Sequence, residues 1–123
     1  MHQYLGVARI ASDQGRGSIS IVVKESSMNP AGFLHGGVLY ALCDVCAYAG
    51  LLSRLEPGRE AVTHDMHVSV LQAAKAGDRV DFSSAIVKMG RKICFIDVTA
   101  TVGETPIATA RVTKSLVENR AGG

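Results

Sequence analysis

Residues 29–55 read NPAGFLHGGVLYALCDVCAYAGLLSRL, and they predict the centre of the fold. The first part of this stretch has the Asn, Pro and Gly composition of a loop. Residues 36–55 are rich in Ala and Leu and form a run too long for a strand, which indicates a helix. Because the run is apolar nearly all the way round, we expect the helix to be buried on most sides, and Pro57 and Gly58 end it.

One carboxylate, Asp44, lies in this apolar helix. Burying an unpaired charge is costly, so Asp44 must be hydrogen-bonded, be neutralised or line a cavity. A structural role would tie it to a backbone donor or to Tyr40 or Tyr48, which lie one turn away on the same face. A functional role is the alternative, because carboxylates in such surroundings cluster at active sites. The helix by itself leaves both interpretations open.

Strand-like patterns flank the helix on both sides. Two runs precede it around a turn at residues 12–17, and the others follow it. We expect a three-strand meander after the helix, and the short connections make it antiparallel. The predicted strands cover residues 4–11, 18–24, 61–71, 79–89, 93–102 and 107–117. The fold class is therefore α+β, with residues 1–123 forming a single domain in which one helix lies on one curved antiparallel sheet.

The predicted helix needs more cover than one sheet can provide. A sheet covers one side of a helix, whereas this helix is apolar on more than one side. In a chain of 123 residues with no second predicted helix, the cover that we expect is another copy of the same chain. The sequence therefore predicts a homo-oligomer.

Composition narrows the class of protein. Apolar residues make up 47% of the chain, enough for a core without disulfides, and the three cysteines form no disulfide framework. The net charge of +2 is too weak to indicate nucleic-acid binding. No apolar run reaches the length of about 18 residues that indicates a membrane span, and the first residues lack the layout of a signal peptide. We expect a cytoplasmic protein with no nucleic-acid or membrane partner.

The helix is predicted to begin at Gly36 and Gly37, directly after His35. Free N–H groups at a helix start can stabilise a developing oxyanion, although glycines there are also an ordinary helix cap. Gly36 and Asp44 lie eight residues apart, which is about 12 Å along a helix. One carbonyl cannot contact both within a single chain. If both serve one reaction, antiparallel helices from two chains must lie side by side, and the same partner would cover the apolar helix.

Other candidate sites are weaker. Cys43 and Cys46 lie in the middle of the helix rather than at its start, which indicates inert buried thiols rather than a redox pair. His64 and His67 point to opposite faces of a strand, so we expect no metal site. The basic turn at residues 90–92 is either a solvated hairpin tip or a clamp for ligand phosphates.

Several motifs occur together in one order. They are N-P-x-G-x-x-H-G-G, an Asp nine residues after the His, V-T-x-D-M, A-K-A-G-D and G-R-K. Together they resemble the hotdog-fold acyl-CoA thioesterases, most closely the phenylacetate-pathway-like (PaaI-like) group, over roughly residues 20–117. The resemblance implies a hotdog fold, in which an antiparallel sheet of five to six strands wraps around one long central helix. It also implies a homodimer joined at the sheet edges, often assembled into a homotetramer, an acyl-CoA substrate, and no metal or redox cofactor.

The resemblance implies catalytic roles for particular residues. Asp44 matches the catalytic carboxylate, acting as a base toward water or as a nucleophile. The N–H of Gly36 matches the donor that polarises the thioester carbonyl. Thr63 matches a residue that orients the attacking water, and strand alternation places it on the more polar face, opposite to Met66.

The loop before the helix supplies two more matches, which are Asn29 and His35. Asn29 matches a residue that helps to position the nucleophile or the substrate, and His35 is either catalytic or a brace of the loop. His64 departs from the family pattern, which usually has a small or apolar residue there. We expect Leu51 to join the tyrosines of the helix in the wall of the acyl pocket. The other predicted substrate-binding residues are Gly37, at the helix start, and Tyr40 and Tyr48, on the helix face of Asp44. The resemblance adds Gly90, Arg91 and Lys92, which match a turn near the coenzyme A phosphates.

The predicted function is hydrolysis of a small aryl- or medium-chain acyl-CoA to the carboxylic acid and free CoA. An enoyl-thioester hydratase of the same fold is one alternative. Those relatives place their His close after an Asn-Pro, whereas His35 lies five residues after Pro30. A module that binds acyl-CoA without turnover is the other alternative, because a fold does not establish a function.

Overall fold

The computed structural model describes residues 7–118, in which strands and one long helix follow each other in the predicted order. Two strands precede the helix and four follow it, which confirms the α+β class. A short 3-10 turn lies between the second strand and the helix. The elements are β1 (Val7–Asp13), β2 (Arg16–Val22), α1 (Gly36–Leu52), β3 (Arg59–Val70), β4 (Arg79–Met89), β5 (Ile93–Val102) and β6 (Thr105–Glu118).

The strands form one antiparallel sheet in the order β1-β2-β4-β5-β6-β3. Strands β4, β5 and β6 form the predicted meander. The expectation that residues 61–71 also belong to it is wrong, because β3 pairs with β6 at an edge of the sheet. Since β4 pairs with β2 instead, strands from before and after the helix join in one sheet. All of these strands contact α1, so the sheet wraps around the helix as in a hotdog fold.

Glycine at two positions allows helix and sheet to approach closely. A Cβ atom added to Gly17 of β2 would lie 2.6 Å from the backbone nitrogen of Gly50 in α1. The hydroxyl of Ser84 in β4 also donates a hydrogen bond of 2.7 Å to the carbonyl of Cys46. These contacts fix one face of the helix against β2 and β4. The opposite face, which carries Asp44, is directed toward β6 and the edge strand β3.

The end of the helix and the turn between β1 and β2 differ from their predicted positions. The helix ends at Leu52 rather than at residue 55, and the hydroxyl of Ser53 accepts a hydrogen bond of 2.8 Å from the N–H of Gly15. The turn between β1 and β2 contains only Gln14 and Gly15, whose φ angles of 49° and 77° give the tight reversal that a two-residue hairpin requires. The strands therefore extend into the predicted turn at residues 12–17. Residues 4–6 of the first predicted strand lie outside the described residues.

Strand β3 contains a β-bulge at His64. Thr63 and Asp65 pair with consecutive residues of β6, so His64 is the extra residue between them. The predicted strict alternation is therefore wrong: Thr63 contacts the helix, and Met66 packs against the same core three residues later. The bulge is what allows both side chains to lie on the inner face.

Candidate active site

The start of α1 leaves one backbone donor free. His35 is the N-cap residue, and its Nδ1 accepts a hydrogen bond of 2.9 Å from the N–H of Gly37. The N–H groups of Val38 and Leu39 bond to the carbonyl of His35. Within residues 7–118, the N–H of Gly36 makes no hydrogen bond, and Gly36 is exposed. Of the two glycines, Gly36 can therefore serve a ligand, whereas the Gly37 donor is already used by His35.

Asn29 organises the loop before the helix. Its Oδ1 accepts hydrogen bonds from the N–H groups of Ala31 and Phe33, at 3.0 Å and 3.1 Å. Its backbone N–H also bonds to the carbonyl of Phe33 at 2.8 Å. These contacts close a compact turn that leads into the helix cap. Asn29 and His35 thus shape the segment that presents Gly36.

Asp44 is held by two side chains from the sheet, and not by Tyr40 or Tyr48. Its Oδ1 accepts hydrogen bonds from the hydroxyl of Thr63 at 2.6 Å and from the ammonium of Lys114 at 3.0 Å. Lys114 Nζ also lies 2.9 Å from Thr63 Oγ1. The Asp44 side chain is 37% exposed, so it is more open than the apolar helix predicted. A paired, accessible carboxylate is suited to acid–base or nucleophilic chemistry.

Lys114 is the residue of this cluster that sequence analysis missed. It lies on β6 between the buried residues Val112 and Leu116, and its own side chain is only 3% exposed. Alternation along β6 places these three residues on one face. A lysine on the buried face of a strand is unusual, since lysines are almost never fully buried unless paired. That pattern is the signal that could have pointed to Lys114.

The two tyrosines on the helix differ in their surroundings. Tyr40 is 44% exposed, whereas Tyr48 is half-buried and donates a hydrogen bond of 2.6 Å to Glu60. That hydrogen bond raises the pKa of Tyr48 and lowers the pKa of Glu60. Lys114 Nζ lies 5.5 Å from the centre of the Tyr48 ring. Leu51, which was expected to line the acyl pocket, is completely buried in the core, so that expectation is wrong.

The helix face that carries Asp44 is incompletely covered. Gly37, Tyr40, Asp44, Tyr48 and Leu52 follow one another at helical spacing on this face, and all are exposed or half-buried. Leu52 is 50% exposed. Asp44 lies about 12 Å along the axis from Gly36, as its position in the helix requires. Within one chain, the structure therefore brings Asp44, Thr63 and Lys114 together but does not bring them to Gly36.

The turn at residues 90–92 borders a cleft of about 860 Å³ near the end of the helix. A Cβ atom at Gly90 would collide with the carbonyl oxygen of Ile93, so the turn requires glycine there. Arg59 supports the turn by donating hydrogen bonds to the carbonyls of Arg91 and Leu116, at 2.9 Å and 3.1 Å. Asp44 does not line this cleft. The basic residues on its walls are Arg54, Arg59, Arg91 and Lys92.

The cysteines are buried core residues rather than part of a reactive site. Burial raises the pKa of Cys43 to about 12 and that of Cys46 to about 11, so both thiols are protonated at neutral pH.

No cluster of three or more His, Cys, Asp or Glu side chains able to hold a metal ion occurs within residues 7–118. In the same part of the chain, no helix is both long and apolar enough to cross a membrane.

Comparisons with known proteins agree with this fold. The model of the thioesterase superfamily matches residues 31–109. Acyl-coenzyme A thioesterase 13 from Mus musculus is 32% identical over 96 residues, which covers 76% of this chain and 68% of the mouse protein. The PaaI protein from the phenylacetic acid degradation operon of E. coli superposes with a TM-score of 0.85 at 22% identity, covering 94% of this chain and 83% of PaaI. A hypothetical thioesterase protein from Streptococcus pneumoniae TIGR4, solved with coenzyme A, gives a TM-score of 0.79 at 28% identity, covering 93% of this chain and 89% of that protein.

The fold and these relatives together define a hotdog thioester hydrolase. The chain belongs to the thioesterase superfamily. The resemblance to PaaI-like thioesterases and the expected hotdog architecture are both confirmed.

Proposed function

We propose that this protein hydrolyses a small aryl- or medium-chain acyl-CoA, with Asp44 as the catalytic carboxylate and the N–H of Gly36 as the oxyanion donor. The observation that carries the proposal is the anchoring of Asp44 Oδ1 by Thr63 and Lys114 on an open helix face. The names of the relatives, which include acyl-coenzyme A thioesterase 13, support the substrate class.

A homodimer would complete the site. Strand β3 lies at the sheet edge, where unpaired backbone groups can pair with a second copy of the strand. A two-fold axis at this edge sets the two α1 helices side by side and antiparallel. The Gly36 N–H of one protomer then faces Asp44 of its partner. The same contact covers the open helix face that carries Tyr40 and Leu52.

Two chemical routes use Asp44. In the first, the carboxylate accepts a proton from water while the water oxygen attacks the thioester carbon. In the second, the carboxylate attacks that carbon itself, and water then hydrolyses the resulting anhydride. In both, the carbonyl electrons move onto an oxyanion that accepts the Gly36 hydrogen bond, and collapse breaks the carbon–sulfur bond. The coenzyme A thiolate leaves and takes up a proton from solvent, and in the first route Asp44 releases to solvent the proton that it accepted from water.

A single turnover in ¹⁸O-water separates the two routes. Water attack places ¹⁸O directly in the released acid. Attack by the carboxylate, followed by attack of water on the Asp44 carbon of the anhydride, transfers an unlabelled aspartate oxygen to the first product and leaves the label in Asp44, which mass spectrometry of the peptide detects.

We assign the coenzyme A phosphates to the basic cleft and the acyl group to the open helix face. Arg91 and Lys92 supply charge that suits phosphates, and Gly90 allows the turn to adopt its shape. Tyr40 and Tyr48 provide aromatic surface near Asp44. Gly37 contributes through its cap with His35 and the absence of a side chain next to the ligand.

The test is thiol release from a panel of aryl- and aliphatic acyl-CoAs by wild type and Asp44→Asn. Loss of a general base or nucleophile should lower kcat by about 10²- to 10⁴-fold, with folding unchanged. Undiminished turnover by Asp44→Asn would reject the mechanism. Hydration of crotonyl-CoA would favour the hydratase, and tight acyl-CoA binding without thiol release would favour the binding module.

The remaining parts of the proposal concern assembly, location and cofactors. Val62, Val87, Ile93 and Val117 are exposed on β3 to β6, and we propose that this surface joins two dimers into a homotetramer. Light scattering on the purified protein measures the assembly state directly.

We also propose a cytoplasmic enzyme that needs no metal or redox cofactor. Full activity after exhaustive chelation and dialysis is the expected result.

A further inference from the structure

Lys114 is the most deeply buried charge around Asp44. Its side chain is 3% exposed, whereas the Asp44 side chain is 37% exposed. A buried ammonium is tolerated only when it is paired and its protons are used. Lys114 meets that condition with Asp44 at 3.0 Å, Thr63 at 2.9 Å and the ring of Tyr48 at 5.5 Å. The cation therefore lies beneath the site, and the carboxylate lies between it and solvent.

The number of protons on Lys114 and Thr63 determines which group donates in each of their hydrogen bonds. An ammonium can only donate, so Thr63 Oγ1 accepts from Lys114. The single hydroxyl proton of Thr63 is then directed to Asp44. Lys114 thus acts on the carboxylate twice, directly and through the orientation that it imposes on Thr63.

Both hydrogen bonds converge on the same oxygen of Asp44. Thr63 and Lys114 each bond to Oδ1, and within residues 7–118 no hydrogen bond is made to Oδ2. We propose that Lys114 is a positioning residue that makes Oδ2 the reacting oxygen of Asp44. This inference rests on the thioesterase function proposed above, since Oδ2 is the atom that would take the proton from water or attack the thioester.

The first test compares Lys114→Met with Lys88→Met in steady-state kinetics on an acyl-CoA that the wild type hydrolyses. Methionine keeps a long side chain but removes the donors, and Lys88 is an exposed lysine on β4 that serves as the control. We expect Lys114→Met to lower kcat by about 10²-fold, because Asp44 loses the contacts that fix its geometry. KM should stay nearly unchanged, and Lys88→Met should match wild type.

The second test is chemical rescue. Ethylammonium added to Lys114→Ala should raise kcat in a saturable manner, because it restores a donor-only cation beside Thr63 and Asp44. It should not raise the activity of Asp44→Asn. A purely structural lysine would instead lower the folded fraction and leave kcat per folded molecule unchanged, with or without the amine.

The outcomes are decisive in each direction. Folded Lys114→Met with wild-type kcat overturns the positioning role. If Lys114→Met does not fold, Lys114→Gln replaces it: an amide can donate or accept, so it no longer forces the Thr63 proton toward Asp44, and a wild-type kcat in this variant likewise overturns the role. A wild type that releases no thiol from any acyl-CoA rejects the proposed function itself, which is a different result from an active wild type with an equally active variant.

Discussion

At the scale of single residues, the site depends on which backbone and side-chain donors are already used. Gly36 and Gly37 are adjacent, but only Gly37 donates to His35, so the two glycines are not equivalent. The two carboxylate oxygens of Asp44 also differ, because the hydrogen bonds from Thr63 and Lys114 are both made to Oδ1. In the part of the chain that the structure describes, Gly36 N–H and Asp44 Oδ2 have no hydrogen-bond partner, and they are the groups that the proposed reaction requires.

Replacing Gly36 with Pro tests the backbone donor without disturbing the helix. Proline suits the first helical position, and the preceding residue, His35, already has the extended backbone that a proline demands, with φ −63° and ψ 132°. A Cβ atom at position 36 meets nothing within 4 Å. Loss of the N–H should lower kcat by about 10²- to 10³-fold.

Gly36→Ala is the matched control, because it adds a Cβ atom but keeps the N–H. We expect it to retain most activity in the same thiol-release assay. Equal activity of the Pro and Ala variants would show that the N–H of Gly36 does not stabilise the oxyanion.

At the scale of elements, the β-bulge in β3 determines which side chains reach the helix. Thr63 lies before the bulge and Met66 after it, and both lie on the inner face. With strict alternation, one of them would point outward. His64, whose role the sequence did not explain, is the extra residue that makes this arrangement possible. Its side chain lies on the outer surface, where Nδ1 is 3.3 Å from Ser115 Oγ.

Deletion of His64 should therefore be far more damaging than its substitution. Without the extra residue, either Thr63 loses Asp44 or Met66 leaves the core, so we expect lower turnover and a free energy of unfolding reduced by about 2 kcal/mol or more. His64→Ala keeps the bulge and should resemble wild type. Chemical unfolding and thiol release measure both effects, and a deletion variant as active and stable as His64→Ala would contradict this reading of β3.

At the scale of the whole molecule, the question is how Gly36 and Asp44 meet. The two lie about 12 Å apart along one helix. The open face of α1 and the edge position of β3 are on the same side of the chain. A second copy paired at that edge would bring the Gly36 of one protomer to the Asp44 of its partner, and it would also cover the open face of α1.

Mixing two inactive variants tests the shared site. Gly36→Pro and Asp44→Asn are each expected to be inactive as homodimers. In a heterodimer, one site combines the intact Gly36 of one protomer with the intact Asp44 of its partner. Random reassembly after co-refolding should restore about a quarter of wild-type activity, because half the dimers are mixed and each contains one intact site. If activity stays at the level of the separate variants, each site lies within a single chain.

The sequence by itself determined the features that depend on neighbours along the chain. The apolar run at residues 36–55, the glycines at its start and the carboxylate within it predicted the helix, the cap and Asp44, and the patterns at 79–89 and 93–102 matched β4 and β5 at their ends. Only the tertiary structure decided the features that depend on segments distant in sequence. These are the pairing of β3 with β6, the bulge at His64, and the position of Lys114 beneath Asp44. The physical reason is that strand pairing and side-chain phase are set by packing between segments that are distant in sequence, so no local pattern of hydrophobicity specifies them.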